Sequence, residues 1–344
     1  MASSNLPIIL FHYPFSPYAR RIVWYLTLRS IPYTECIQPF ILPRPDLAAL
    51  GIAYRRIPLL SIGRDVYADT RLILSKLEEL YPPSPAHPAI AASTADGRAI
   101  ERLISRAWID GGVFAAAASS MPPTLPVMRD PKFLSDRADL VGLPKGAPSP
   151  FAAAALEARR PEALAQLHDT VELLEATLLA DGRDWILKTE GPGLADIEAV
   201  WPFHWLSGMP GALPEDVVGP SKFPRVFAWI KRFEKATNAR LKEVGKPKKV
   251  KGDDAAKIIT GSGFVEQEGG VDGNELVAKA QGFKTGDSVK VWPIDSGSTH
   301  KDTGKLVTFT STEVVIETQG KAGSVRLHAP RHGFRITKAE KGKL

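Results

Sequence analysis

Cysteine is nearly absent from this chain, whose 344 residues include one, Cys36. A single thiol cannot form an internal disulfide, and a chain without disulfides suits a reducing compartment, so we expect a cytoplasmic protein. Apolar runs long enough to cross a bilayer are missing too, and residues 1–6 lack the basic and apolar segments of a signal peptide. These absences predict a protein without a membrane partner.

Motifs of several well-defined function classes are also missing. The sequence has no Walker loop, no GxGxxG or GxSxG segment and no Cys/His spacing typical of a metal site, so we expect no metal cofactor. Residues 1–240 carry almost no net charge, with 26 Lys+Arg against 25 Asp+Glu. Residues 241–344 carry a small positive surplus, with 18 Lys+Arg against 13 Asp+Glu. This small surplus comes without an aromatic RNA-binding signature, so we expect no nucleic-acid partner.

A junction between a strand and a helix lies near the N-terminus. Residues 8–11 form a short apolar run, and residues 22–26 carry apolar side chains at helical spacing. Between them, Ser16 and Pro17 form a helix start, with a hydroxyl at the N-cap and a proline at the first helical position. Free N–H groups and the positive end of the helix dipole favour an anion there. The pattern predicts an anion-binding hydroxyl.

The pattern of residues 7–82 predicts a small α/β unit with the order β-α-β-(α)-β-β-α. Pro58 lies inside an apolar strand, where it indicates either an edge strand or a cis peptide bond. Asp69 and Thr70 lie at the start of a helical pattern over residues 70–81. Cys36 lies on the second strand, away from the junction, and we interpret it as structural.

Three segments of this unit together resemble the thioredoxin-like domain of the glutathione S-transferase superfamily, of a serine/cysteine, fungal-like type. Residues 15–21 resemble its Ser/Cys-Pro-aromatic signature, residues 56–60 its cis-proline strand, and residues 67–73 its acidic-hydroxyl motif. The resemblance extends to about residue 240. It implies a thioredoxin-like α/β domain at residues 1–84 and an all-helical domain at residues 90–244.

The resemblance also implies roles for these residues. Ser16 would activate the thiolate of glutathione, the cosubstrate, with Tyr13 on the preceding strand as the alternative donor. Ile57 would pair its backbone with the cysteinyl residue as an added strand, next to Pro58. The γ-glutamyl amine would meet Asp69, and its carboxylate would meet Thr70. The glycyl carboxylate has four candidate partners: Arg20, Arg44, Arg55 and Arg56, of which Arg20 lies in the signature itself.

The second region is mostly helical in pattern, over residues 91–118 and 151–179. The interruption at residues 120–150 is either a lid over a pocket or an insertion packed on the surface. Gly193 stands where Ser or Thr is usual in the family's capping box, so Asp196 must cap the next helix alone. We interpret His204 as a core or rim histidine. A hydrophobic cosubstrate would be lined by Trp108, Phe114, Trp201 and Trp205.

The last third of the sequence has a different pattern from the two regions before it. Residues 245–252 form a basic linker, with a phosphate-binding patch as the less favoured interpretation. Residues 282–336 contain about five short strands separated by turns. They resemble an SH3-like small β-barrel, which we place at residues 253–344.

The sequence therefore predicts a homodimeric glutathione S-transferase-like enzyme, whose activated glutathione thiolate attacks a small hydrophobic electrophile. One alternative is a glutathione-dependent isomerase or a pathway-specific conjugating enzyme of secondary metabolism. Another is a non-catalytic, transferase-derived binding or regulatory protein.

Overall fold

The structure, a computed structural model, describes residues 6–339. The expectation for the N-terminal segment therefore falls almost wholly outside the described residues. Within the described part, no helix is both long and apolar enough to span a membrane.

The N-terminal unit has the predicted order of elements, including the last helix. Its four strands are ordered β4-β3-β1-β2, with β1 parallel to β2 and antiparallel to β3. The Ile57–Pro58 bond directly before β3 is cis, which confirms one of the two interpretations of Pro58. The elements are β1 (Ile8–His12), α1 (Pro17–Leu28), β2 (Thr34–Ile37), α2 (Pro45–Ala49), β3 (Leu59–Ile62), β4 (Asp65–Ala68) and α3 (Thr70–Leu80).

The second region is helical, as predicted. The pattern over residues 91–118 is divided because Gly112 has φ +89°, a left-handed conformation that ends one helix before the next begins. A 3₁₀ turn covers Pro126–Arg129, and a π turn covers Leu174–Leu178. The α-helices are α4 (Ala95–Ile109), α5 (Val113–Ser119), α6 (Pro131–Leu140), α7 (Ala153–Leu173), α8 (Leu194–Ser207), α9 (Glu215–Val218) and α10 (Pro224–Val244).

The interruption at residues 120–150 is anchored to the N-terminal unit through α6. The buried guanidinium of Arg55 pairs with Asp136 at 2.9 Å and also with Asp139. Asp136 in addition accepts a hydrogen bond from the backbone N–H of Leu42 at 2.9 Å. Because the side chains of Arg55 and Asp136 are buried, α6 is a packed insertion rather than a free lid.

The C-terminal third, here called the extension (residues 245–339), contains the five expected strands. The last of these five strands, β11 (Phe334–Lys338), pairs antiparallel with the first of the five, β7 (Ser288–Pro293). A short strand in the predicted linker pairs with β2. The elements are β5 (Lys248–Lys249), α11 (Gly252–Thr260), β6 (Gly270–Val271), α12 (Leu276–Gln281), β7 (Ser288–Pro293), β8 (Asp302–Phe309), β9 (Glu313–Gly320), β10 (Gly323–Pro330) and β11 (Phe334–Lys338).

The extension continues the N-terminal sheet instead of standing apart from it. Strand β10 pairs in parallel with β4, which joins both parts into one path ordered β11-β7-β8-β9-β10-β4-β3-β1-β2-β5. Both edges of the N-terminal sheet are thus covered by the extension, which removes the unpaired backbone groups that an edge strand exposes. The SH3-like character of these strands stays a prediction.

One hydrophobic core is shared across this junction. Ile9, Phe11 and Leu59 of the N-terminal sheet belong to the same buried cluster as Val289 and Leu327 of the extension. Backbones also meet closely where Gly51 faces Gly320, because a Cβ at Gly320 would lie 2.1 Å from the carbonyl oxygen of Ala49. Only glycine permits that approach. The extension and the N-terminal unit therefore fold against each other.

We predict that Leu327→Ala destabilises the whole chain. Leu327 is buried on β10 opposite Val66 of β4, so truncation should cost about 2–5 kcal/mol of unfolding free energy. Denaturant unfolding followed by tryptophan fluorescence measures this, because Trp292 is the one tryptophan of the extension and the other six precede it. Leu276→Ala, at a side chain that is 83% exposed, is the control. A fluorescence transition unmoved by Leu327→Ala would contradict the shared core.

Candidate functional site

Ser16 caps α1 at the junction between β1 and this helix. Its side chain is buried, and its Oγ accepts a hydrogen bond from the backbone N–H of Ala19 at 3.2 Å. A hydroxyl that accepts on one side keeps its own proton to donate elsewhere. Tyr13, the alternative donor, is half-buried, and its carbonyl accepts from the N–H of Ser16 at 3.1 Å. Ser16 is therefore placed as a donor at a helix N-terminus.

Asp69 caps α3 in an unusual backbone conformation, with φ +72°. Positive φ is uncommon outside glycine and often marks a functional position. The buried carboxylate accepts the backbone N–H of Arg71 at 2.9 Å and its guanidinium at 3.1 Å. Burial alone would raise the pKa of Asp69, but the charges of Arg71 and then Arg56 outweigh it, so the pKa is lowered. The site therefore holds a buried anion at α3.

Thr70 presents a second hydroxyl that is set up as a donor. Its buried Oγ1 accepts from Arg21 at 2.5 Å, and Arg21 also pairs with Glu198 of α8. Since a guanidinium only donates, the proton of Thr70 stays available to a ligand. Ser16 and Thr70 thus both present hydroxyl protons at helix N-termini, where an anion is stabilised.

These predicted residues converge on one place. The contact between Arg21 and Thr70 ties α1 to α3. Tyr18, two residues beyond Ser16, lies close enough to Arg56 and Asp69 for both charges to act on its phenol, whose pKa is raised chiefly by burial. Ile57, at the cis bond before β3, is buried in the same hydrophobic cluster as Ala19 of α1 and Phe11 of β1. The site is thus formed by the ends of β1 and α1, the segment before β3, and the start of α3.

The four candidate arginines have different surroundings. Arg44 is buried and donates to the carbonyls of Pro39 and Arg55, while Arg55 is held by α6. Arg20 is exposed and lies near His204, whose pKa is lowered by burial and then by that charge. Arg56 lies near Asp69 and helps to lower its pKa. Of the four, Arg56 is the one that joins the predicted site.

The predicted aromatic set divides into two pairs. Trp108 and Trp201 are buried core residues, and the indole N–H of Trp108 donates to the carbonyl of Ala199 at 2.8 Å. Phe114 and Trp205 are half-buried, 5.9 Å apart between ring centroids, and Phe114 packs on Tyr18 at 4.7 Å. Phe114 and Trp205 are therefore the members of the set that can border a pocket.

A second group of aromatic rings beside Ser16 was missed by sequence reasoning. Phe15 is 56% exposed and packs against Tyr13 at 4.8 Å and Phe40 at 5.5 Å between ring centroids. Phe40 in turn contacts Phe133 of α6 at 6.3 Å. An exposed phenylalanine directly before the capping serine was the available signal, but the link to residues 40 and 133 depends on tertiary packing.

The surroundings of Cys36 and Asp196 indicate structural roles for both residues. Burial, reinforced by the nearby Asp46 carboxylate, raises the pKa of the Cys36 thiol to about 12, so this cysteine is not an activated nucleophile. Asp196 accepts from the N–H groups of Gly193 and Ile186 and from the indole of Trp229. It caps α8 without help from a side chain at Gly193, as predicted.

A second cluster of ionisable groups lies at the junction of β4 with β10. The two ring nitrogens of His328 lie 2.9 Å from an Asp65 oxygen and 2.6 Å from a Glu313 oxygen. Because carboxylates accept, both nitrogens must donate, which defines an imidazolium. Full burial opposes that charge, yet the two carboxylates outweigh it and raise the pKa of His328. The cluster is an ion network across the junction.

Three members of this network could in principle face a metal ion, since Glu266, Glu313 and His328 offer ligand atoms within 4.8 Å of one another. The ammonium of Lys76, however, lies 2.5 Å from Glu266 and 2.9 Å from Glu313. That cation already pairs with both glutamates, and the imidazolium pairs with Glu313 as well. The donor set therefore suits a salt-bridge network better than a metal site.

The fold and the site define a thioredoxin-like domain with hydroxyl and carboxylate groups at two helix N-termini, joined to a helical domain. Residues 10–85 match the family described as the glutathione S-transferase N-terminal domain. This part of the chain is therefore similar to a glutathione S-transferase N-terminal domain. Residues 116–242 match a domain of unknown function, DUF7962.

Solved structures share this fold. A GST-like protein from Pseudomonas syringae is 24% identical, with 97% of this chain and 99% of that chain covered and a TM-score of 0.63. The beta-etherase LigF from Sphingobium sp. strain SYK-6 is 17% identical, covering 69% of this chain and 100% of that one, with a TM-score of 0.52. No curated protein matches the chain. The likeness to the first protein includes the extension.

We predict that His328→Gln destabilises the protein most at low pH. The raised pKa means that the folded state holds the proton more tightly than the unfolded chain, whose histidine pKa is about 6.5. The stabilisation is complete below that value and is lost as the pH rises through the folded-state pKa. The difference in unfolding free energy between wild type and variant, about 3–5 kcal/mol in the acidic limit, should therefore shrink on raising the pH.

Urea unfolding of both proteins from about pH 6 to about pH 9 provides the measurement. His168→Gln serves as the control, because His168 packs on Phe223 and has no carboxylate partner in the described part of the chain. A difference that stays constant or grows with pH would mean that His328 is neutral in the folded protein.

Proposed function

We propose that this protein is a glutathione S-transferase in which the Ser16 hydroxyl donates a hydrogen bond to the glutathione thiolate. The observation that carries the proposal is the orientation of this hydroxyl, which accepts from the N–H of Ala19 and so keeps its proton for a ligand. The helix N-terminus adds positive potential at the same point. The thiolate then attacks an electrophilic carbon of the second substrate, and the leaving group departs with the bonding electron pair.

The helix dipole and the Ser16 hydrogen bond differ in how much free energy each contributes to stabilising the thiolate. A helix dipole contributes about 0.3–2 kcal/mol, which lowers the pKa of a thiol near about 8.5 by at most about 1.5 units. A hydrogen bond to a charged group adds about 1.5–3 kcal/mol. The hydroxyl of Ser16 is therefore the larger contributor to thiolate formation near neutral pH.

The tripeptide occupies the groove between α1 and α3 in this proposal. The backbone of Ile57 pairs with the cysteinyl residue as an added strand. The γ-glutamyl end carries one ammonium and one carboxylate. The ammonium meets Asp69, and the carboxylate meets the Thr70 hydroxyl and the charge of Arg56, an arginine that the sequence had offered only for the glycyl carboxylate. A buried anion beside a hydroxyl donor and a guanidinium is complementary to such a zwitterion.

The second substrate is a hydrophobic electrophile, as expected from the sequence. Two pairs of accessible rings are available to it: the exposed Phe15 with the half-buried Phe40, and the half-buried Phe114 with Trp205. Aromatic walls favour a flat apolar body through offset-stacked and edge-to-face contacts. An aryl-substituted electrophile is the class that these rings would bind.

A homodimer and a cytoplasmic location complete the proposal. The reduced, buried Cys36 supports the compartment. The resemblance alone supports the dimer, and analytical ultracentrifugation of the full chain tests it.

Ser16→Ala is expected to slow conjugation of an aryl halide about tenfold to a hundredfold, because it removes the hydrogen bond to the thiolate. The pKa of the bound thiol, followed by its ultraviolet absorbance, should rise in parallel. Thr94→Ala is the matched control, since Thr94 caps α4 on Gly97 as Ser16 caps α1. Both variants lose about 1 kcal/mol of stability, but the control should keep its activity. If Tyr13→Phe abolishes conjugation and Ser16→Ala spares it, the assignment is wrong.

Phe15→Ala should raise the KM for an aromatic electrophile about tenfold while leaving the KM for glutathione unchanged, since a lost aromatic contact costs about 0.5–1.5 kcal/mol beyond its buried area. Leu103→Ala removes an apolar side chain that is 65% exposed on α4 and serves as the control. Equal effects on both substrates would place Phe15 outside the electrophile pocket.

A further inference from the structure

Two loops of the extension reach the proposed glutathione site. Asp295 follows β7, and His332 lies between β10 and β11. Each carries a side chain that contacts a charged group of the site or its direct partner. The extension is therefore close to the tripeptide groove as well as to the core.

The first contact runs through Asp110 to Asp69. Nε2 of His332 lies 2.8 Å from the carboxylate of Asp110, and Arg71 donates to both oxygens of that carboxylate at 3.0 and 3.1 Å. Arg71 also binds Asp69 through two nitrogens at 3.1 Å. Because the Arg71 guanidinium is shared between Asp69 and Asp110, it cannot neutralise the charge of Asp69 completely. The negative charge that an ammonium ligand needs is thereby kept.

The second contact holds Arg56. One guanidinium nitrogen of Arg56 lies 3.0 Å from each oxygen of Asp295. The same guanidinium lies over the rings of Tyr54 at 5.3 Å and Phe334 at 5.5 Å. Asp69 is the other carboxylate whose charge acts on this guanidinium, so without Asp295 the charges of Arg56 and Asp69 would offset each other more fully. Asp295 therefore keeps the positive and negative charges of the site apart.

We propose that Asp295 and His332 are positioning residues of the glutathione site, so that the extension completes the recognition of the γ-glutamyl end. This inference rests on the proposed function. His332 fixes Asp69 for the ammonium through Asp110 and Arg71, and Asp295 fixes Arg56 for the carboxylate. The tripeptide site is thus incomplete without the C-terminal third of the chain.

This role can be separated from a purely structural one. Asp295, His332 and Asp110 are substantially exposed, and exposed ion pairs contribute little to the stability of a protein. Buried contacts already attach the extension to the same segment: Asp302 accepts from the N–H groups of Ala53 and Tyr54 at 2.6 and 3.1 Å. Removing Asp295 or His332 should therefore leave the fold intact and disturb the charges of the site.

The test measures calorimetric binding of glutathione and of cysteinylglycine, which lacks the γ-glutamyl group, to the full chain. Asp295→Asn and His332→Gln should each weaken glutathione binding about fivefold to tenfold and leave the affinity for cysteinylglycine unchanged. In conjugation assays the KM for glutathione should rise while kcat stays constant. Asp295→Glu, which keeps the carboxylate, should restore most of the affinity.

Matched controls come from the same extension. Asp287→Asn removes a carboxylate 3.1 Å from Lys338, and His300→Gln removes an imidazole 2.8 Å from Asp139. Both controls should bind glutathione like the wild type. If the wild type binds glutathione but Asp295→Asn and His332→Gln bind it unchanged, or lose both ligands equally, the positioning role is overturned and the proposed function stands. If the wild type binds no glutathione, the proposed function falls and takes this inference with it.

Discussion

The parallel pairing of β10 with β4 is the interaction on which the rest of this structure depends. Arg326, Leu327 and His328 register with Asp65, Val66 and Tyr67, and this ladder turns an exposed edge into the centre of a longer sheet. Main-chain pairing alone would bring polar groups of both strands into the interior. The His328 imidazolium satisfies Asp65 and Glu313 there, and Lys76 satisfies Glu266 and Glu313. The buried ions are tolerated because each has an opposite partner.

The same pairing places the extension beside the start of α3, where the candidate site lies. Because β10 runs along β4 and ends before the loop that carries His332, that loop reaches Asp110 and Arg71. A segment attached only by a flexible linker could not hold such contacts. The extension is therefore rigidly positioned against the residues proposed to bind the tripeptide.

Hydrogen-bond direction gives the site its chemical character. Ser16 accepts from a helix N–H and Thr70 accepts from a guanidinium, so each hydroxyl keeps one proton for a ligand. A thiolate and a carboxylate are the anions that such donors would suit. The buried carboxylate of Asp69, kept ionised by Arg71 and Arg56, adds a place for an ammonium group. Two donors and one acceptor of this kind suit the thiolate, the γ-glutamyl carboxylate and the ammonium group of the proposed tripeptide.

What the sequence by itself determined is local. Ser16 before Pro17, Pro58 within an apolar run, and Asp69 with Thr70 at a helix start identify their elements through short-range geometry, and all of these elements are present in the structure. The strands of the extension were predicted for the same reason, since alternation and turn residues are local signals.

The tertiary structure alone decided which of these pieces meet. The pairing of β10 with β4 joins residues more than two hundred positions apart, and no local pattern encodes such a partner. The roles of Arg55, Arg56 and Arg20 differ only in what surrounds them, and so do those of Trp201 and Trp205. Charge and aromatic character are visible in a sequence, but burial and opposite partners are set by packing. The proposed contribution of the extension to the site therefore follows from the tertiary structure alone.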